Sequence, residues 1–171
     1  MSDLHATLSS VLADRYSANA SRVHELAGAI TSVQFWQKPY PYGNSFGHLV
    51  LHLTGNLNYY IGAQIAQTGY VRDRPCEFAD PNPPAKEEAL QRFDDAVAMV
   101  IKTIRQQTPE DYCAGYSGVG ANAANRYDMI QQCASHVQHH IGQMIYLAHE
   151  WRRQEAAAPA ATPTAAVSVV K

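Results

Sequence analysis

Ser135-His136-Val137-Gln138-His139-His140-Ile141-Gly142-Gln143 holds three of the chain's eight histidines within five residues. It lies inside a longer stretch, Arg126 to Arg153, whose apolar residues recur at helical spacing. At about 100° per residue, with His136 at zero, Ile130, Val137, Ile141, Met144, Ala148 and Trp151 fall between about 60° and 140°. That arc is a core stripe. His136, His140, Gln143 and Leu147 fall within about 40° of zero, on the shoulder of the stripe. His139 turns about 60° the other way, towards solvent. Residues four apart on a helix stack one turn above the other, so His136 and His140 point the same way.

Ser45-Phe46-Gly47-His48-Leu49-Val50-Leu51-His52-Leu53 repeats this arrangement about ninety residues earlier. Ser45 reads as an N-cap, and the helix it opens is predicted to run to Thr68 and stop at Gly69. Phe46, Leu49, Val50, Leu53, Leu57 and Tyr60 make the core stripe. His48, His52, Asn56 and Tyr59 make a polar strip beside it.

The other segments complete an all-α pattern. Asp3 to about Ile30 reads as a first helix, capped by Asp3 and weakest at Ser17 to Ser21. Phe35 to Asn44, with two prolines and a glycine, reads as a loop whose Phe35, Trp36 and Tyr40 pack on the bundle end. Gly69 to Pro84 is a connection. Ala85 to Gln107 is a third long helix with Glu87 and Glu88 in its first turn. Thr108 to Asn125 is a long loop with a helical turn at Pro109, and its Tyr116, with Arg126, is a candidate cap for a pocket. Four amphipathic helices with long connecting loops predict a four-helix bundle. One domain over residues 1–154 is expected. The Ala/Pro/Thr-rich residues 155–171 are expected to form a disordered tail.

Composition narrows the function classes. The 171 residues are 46% hydrophobic and 16% charged, with formal net charge −2. No basic face is available to neutralise phosphates, so nucleic acid is not an expected partner. No apolar run approaches the roughly 20 residues of a membrane span, and the N-terminus has no basic region followed by an apolar stretch. The three cysteines, Cys76, Cys113 and Cys133, are scattered, which fits a reducing cytoplasm rather than a disulfide framework.

Two histidines at i and i+4 make half of a site for a borderline metal ion. Burying neutral imidazoles is unfavourable unless they have partners, so pairs on two equivalent shoulders ask for a shared one. Competing metal patterns fail. Val137 stands where a zincin has its glutamate, no pair of Glu-x-x-His helices supports a di-iron centre, and no Cys-x-x-Cys-His supports haem.

The Ser45 to Leu53 and His136 to Gln143 stretches, with the Trp36 to Pro39 loop, resemble the DinB-like superfamily of four-helix-bundle metalloenzymes. His139-His140-Ile141-Gly142-Gln143 is the most specific part, with Ile141 standing where the family commonly has arginine. The resemblance implies metal ligands at His52, His136 and His140, a divalent ion such as zinc or nickel, and a homodimer. His48, Asn56, Tyr59, His139 and Gln143 are the candidates for the surrounding shell or pocket, with His48 read first as hydrogen-bonded at the start of its helix. Cys133 reads as core. No carboxylate lies on either histidine strip, so the catalytic residues, including a general base, are not identified.

Two functions follow. One is a metal-dependent enzyme acting on a small molecule, such as a transferase or isomerase using a low-molecular-weight thiol, as characterised branches of the family do. The other is a non-catalytic metal-binding stress or interaction protein whose site is structural or vestigial. The absence of a base and of a charged anchor near the histidines leans towards the second.

Overall fold

A computed structural model describes residues 2–118 and 122–157. Four long helices carry the core: α1 (Ser2–Gly28), α3 (Phe46–Leu57, continued by a π-helical segment, Asn58–Ala63), α5 (Lys86–Gln106) and α7 (Arg126–Ala157). Three short helices lie in the connections: α2 (Ser32–Trp36), α4 (Cys76–Ala79) and α6 (Pro109–Cys113). The all-α bundle is as expected, and no helix among the described residues is long and apolar enough to cross a membrane.

Neighbouring pairs around the bundle are α1 with α5, α5 with α3, α3 with α7, and α7 with α1. Contacts along the pairs set the directions. His5 reaches Gln107 while His24 reaches Asp94, so α1 and α5 run antiparallel. Tyr16 bonds the Ile130 carbonyl, and beyond α1 Gln34 meets Glu155, so α7 runs with α1. His52 faces His136, while Asn56 borders a cleft with Cys133, one turn earlier on α7, so α3 opposes α7. The order is up, down, down, up.

The stripes read from the sequence are the core. Phe46, Leu49, Val50, Leu53 and Leu57 of α3 are buried against Ile130, Val137, Ile141, Met144 and Ala148 of α7. Burying each such side chain is worth about 1.5–3 kcal/mol. Ile141, the departure from the family pattern, is one of these core residues.

Several local expectations are corrected. α1 is continuous through Ser17 to Ser21, where the Ser21 hydroxyl donates back to the Ser17 carbonyl. It already includes Asp3, and Lys86 Nζ caps its far end by donating to the Ala27 and Ile30 carbonyls. The segment containing Phe35 and Trp36 is a helical turn closed by a Thr31–Gln34 capping box. Phe35, Trp36 and Tyr40 do pack against the core. The Ser45 helix ends at Ala63 rather than Thr68, its last turn widened to π geometry, and the backbone then turns left-handed at Gln67, φ 54°. α7 runs to Ala157, past its expected end at Arg153, and residues 158–171 of the expected tail lie outside the described residues.

Candidate metal centre

Ser45 begins α3 with a capping box whose reciprocal partner is a histidine. The Ser45 hydroxyl accepts from the His48 amide at 3.2 Å, and His48 Nδ1 accepts from the Ser45 amide at 3.4 Å. His48 is therefore spent at the helix start, against the edge of Trp36. The ring of Trp36 and that of Phe35 lie over Gly47, where a Cβ would collide with both. This contact seats the start of α3 against α2.

One turn on, His52 is buried and points at α7. Its ring lies 5.2 Å from that of His136 and 5.0 Å from that of His140, and the latter two are 4.5 Å apart. Each of the three offers one ring nitrogen, and these nitrogens lie within 4.8 Å of one another. Among the described residues, no other group of histidines, cysteines or carboxylates is gathered in this way.

Hydrogen bonds select the tautomers. His52 Nδ1 is 2.8 Å from Glu77 Oε2. An ionised carboxylate only accepts, so the proton sits on Nδ1 and, in the neutral ring, Nε2 keeps a bare lone pair. Arg72 Nη2, 3.3 Å from His52 Nδ1, is a donor too and bonds Glu77 Oε2 at 2.9 Å instead. His140 Nδ1 is 2.7 Å from Gln143 Oε1, an acceptor, which leaves His140 Nε2 bare. That atom is buried and has no partner. His52 Nε2 and His136 Nε2 face each other at 3.0 Å. Ligands of a tetrahedral zinc with bonds of about 2.0–2.1 Å stand about 3.3 Å apart. The His52 and His136 nitrogens thus stand near the separation that one borderline cation requires, with a His140 nitrogen within 4.8 Å of them, and the orphaned His140 Nε2 is the atom most in need of a partner.

Electrostatics keep the cluster ready. Burial first, then the nearby His140, His52 and His139 rings, push the His136 pKa down to about 4. Burial also lowers His140, and the bond to Gln143 only partly opposes this. Both rings are neutral at pH 7, as metal binding requires. Burial by itself would raise the Glu77 carboxyl, but hydrogen bonds from His52 and Arg72 hold it below the usual carboxylate range.

Glu77 and Arg72 are the residues that sequence reasoning missed. They come from the connection after α3, where α4 brings Glu77, 6% exposed, onto the flank of His52. Arg72 Nε bonds Glu77 Oε1 at 2.6 Å. The expected lack of a carboxylate and of a charged anchor beside the histidines is therefore corrected. A signal was present in Gly55: mid-helix glycine is unfavourable by about 1 kcal/mol relative to alanine. Here a Cβ would run into the Glu77 carboxylate.

The remaining candidates divide. Gln143 holds His140, and its Nε2 approaches exposed His139 at 3.3 Å. Asn56 is buried and borders, with His136, a cleft of about 280 Å³. Tyr60 rather than Tyr59 lines that cleft, and Tyr59 packs edge-on against Tyr60. The Tyr116 hydroxyl donates to the Tyr60 carbonyl, and Arg126 pairs with Asp111. Cys133 is core, its thiol pushed up to about 12 by burial, so it is no thiolate ligand at neutral pH.

No curated protein matches this chain in sequence. Among solved structures it is similar to a conserved protein from Enterococcus faecalis, with TM-score 0.67 and 16% identity, over 82% of this chain and 95% of that one. At that identity the likeness concerns the fold. The family of the DinB superfamily matches residues 15–144, which span α3, its supporting α4 and all three clustered histidines, and the chain belongs to that superfamily.

Proposed function

We propose that His52, His136 and His140 hold one divalent metal ion, zinc or nickel, with the remaining position open, and that the protein is a metal-dependent enzyme acting on a small molecule through an activated thiol or water. The observation that carries this reading is the buried, unpartnered Nε2 of His140, which lies beside two further imidazole nitrogens. Three protein ligands with a vacant fourth position are the arrangement of catalytic rather than structural zinc. A bound ion supplies a Lewis acid that lowers the pKa of a water or thiol at the open position towards neutrality.

The protein's own groups do the positioning. Glu77 accepts from His52 Nδ1 and so keeps Nε2 bare, a carboxylate–histidine relay of the kind that raises ligand basicity. Arg72 fixes both carboxylate oxygens. Gln143 does for His140 what Glu77 does for His52. This supporting shell favours a catalytic site over a vestigial one, since a bundle that only needed packing would bury leucines in these places.

Elemental analysis of the purified protein tests the reading. One equivalent of metal is expected in wild type, and a large loss in the His136→Ala/His140→Ala variant. Equal metal in both would sink the site. Thiol-dependent turnover of an electrophilic substrate, absent in the same variant, would separate an enzyme from a metal-binding protein without catalysis.

A further inference from the structure

Asn56 sits one turn beyond His52 on α3, is 7% exposed, and carries an amide oxygen that is buried without a partner. Nearly all buried polar atoms find partners, so an orphan on a residue that borders a cleft calls for an explanation. The cleft, of about 280 Å³, is bounded by Asn56 and Asn122 together with Tyr60, Met129, Gln132, Cys133 and His136. It thus reaches the α7 arm of the histidine cluster directly. Among the described residues, no lysine, arginine, aspartate or glutamate side chain lines it. Its chemistry is a thioether, a protonated thiol, neutral amides and the tyrosine ring.

We infer that this cleft is where the reacting small molecule lies, and that Asn56 receives a hydrogen bond from an uncharged O–H or N–H group of that molecule while another of its atoms takes the open position beside His136. The inference rests on the metal reading above and adds a ligand class: small, uncharged, with a hydrogen-bonding group near the atom that meets the metal. Liquid water occupies about 30 Å³ per molecule, so the cleft has room for roughly nine waters' worth of ligand. Apart from the atom that meets the metal, the absence of charged walls among the described residues selects against charged groups on the ligand, which would lose their hydration there without compensation. A ligand lacking the polar group would leave the Asn56 amide unpaired, and sites built around a buried polar group discriminate on that basis.

A pair of near-isosteric thiols tests this. 2-Mercaptoethanol has a hydroxyl where 1-propanethiol has a methyl. Each is titrated into the cobalt-loaded protein, with the thiolate-to-cobalt charge-transfer band reporting occupancy, and the ratio of the two affinities is compared between wild type and Asn56→Leu. A shift of about tenfold against 2-mercaptoethanol in the variant is expected, with cobalt content unchanged. Asn56→Ala serves as a second variant should the leucine disturb folding, and thermal unfolding checks both. An unchanged ratio in the folded variants overturns the role of Asn56. If wild type takes up no cobalt by elemental analysis, the metal reading fails and the inference falls with it, an outcome distinct from cobalt present with an unchanged ratio.

Discussion

On α3, His52 is fixed by a carboxylate that arrives from twenty-five residues away and is buried with its own arginine. On α7, His140 is fixed by an amide three residues along its own helix, on the exposed side of the bundle. Both partners do the same chemical job, setting the proton on Nδ1 so that Nε2 is bare. They differ in what else depends on them. The Glu77–Arg72 pair ties the connection after α3 to the core, so the α3 arm of the site is part of the fold's stability. The Gln143 bond is local to one face of one helix, so the α7 arm is separable from it.

The largest expected effect follows from removing Glu77. Glu77→Ala leaves Arg72 buried to 10% side-chain exposure with no counter-charge. Breaking a buried pair on one side costs about 3–5 kcal/mol. Urea unfolding should show that loss, and metal uptake should fall with it. Glu77→Gln keeps an acceptor for His52 and should recover part of the metal affinity while staying less stable than wild type. A variant Glu77→Ala as stable as wild type would break the contrast between the two arms.

Gly55→Ala probes the same arm without touching a charged group. On an ordinary helix the change stabilises by about 1 kcal/mol. Here the new methyl displaces the Glu77 carboxylate, and overpacking of this kind costs about 1–3 kcal/mol. The sign of the change in Tm therefore decides whether Glu77 is held as tightly as the geometry shows.

This contrast also explains what the sequence made legible. The helices, their core stripes and the shoulder positions of His52, His136 and His140 follow from periodicity, because i, i+4 spacing is a property of one helix. Gln143 was visible for the same reason. Glu77 was not. It sits in a segment of Pro, Asp and Arg whose path over the bundle depends on tertiary packing, and no period links residue 77 to residue 52. The π-helical turn at Asn58–Ala63 was hidden as well, since its widening reflects contacts with α5 and α7 rather than local propensity. His48 is the complementary case: its spacing from His52 is that of a ligand pair, yet the N-cap three residues before it claims its ring, as its place at the helix start suggests.

The arms can also be compared through pH in the metal-free protein. His136 has a folded-state pKa near 4, against about 6.5 in an unfolded chain. Between those values the unfolded state binds more protons, so stability present above about pH 6.5 is lost as pH falls towards 4. Glu77, also held below its usual range, adds to the loss in the acid part of that window. Chelator-treated protein should show its urea midpoint dropping from pH 7 to pH 4.5, and His136→Asn should flatten that drop. An unchanged slope in the variant would mean that His136 is not desolvated by the cluster.

Gln143→Ala should have the smallest effect on the fold and a selective one on the site. Gln143 is exposed, and its amide hydrogen-bonds His140 and His139. Surface changes of this kind usually stay within about 0.5 kcal/mol of wild type. Without the acceptor, the His140 proton is free to sit on either nitrogen, and the tautomer with Nε2 protonated cannot ligate. Losing a partner that orients a ligating histidine typically costs 10–100-fold in metal affinity. Because the alternative tautomer needs no unfolding to form, a loss of about tenfold at unchanged Tm is expected, read by competition with a metal indicator. Gln143→Glu restores an acceptor and should restore the affinity. If Gln143→Ala instead lowers Tm as far as Glu77→Ala does, the α7 arm is as much a part of the fold as the α3 arm, and the asymmetry between them disappears.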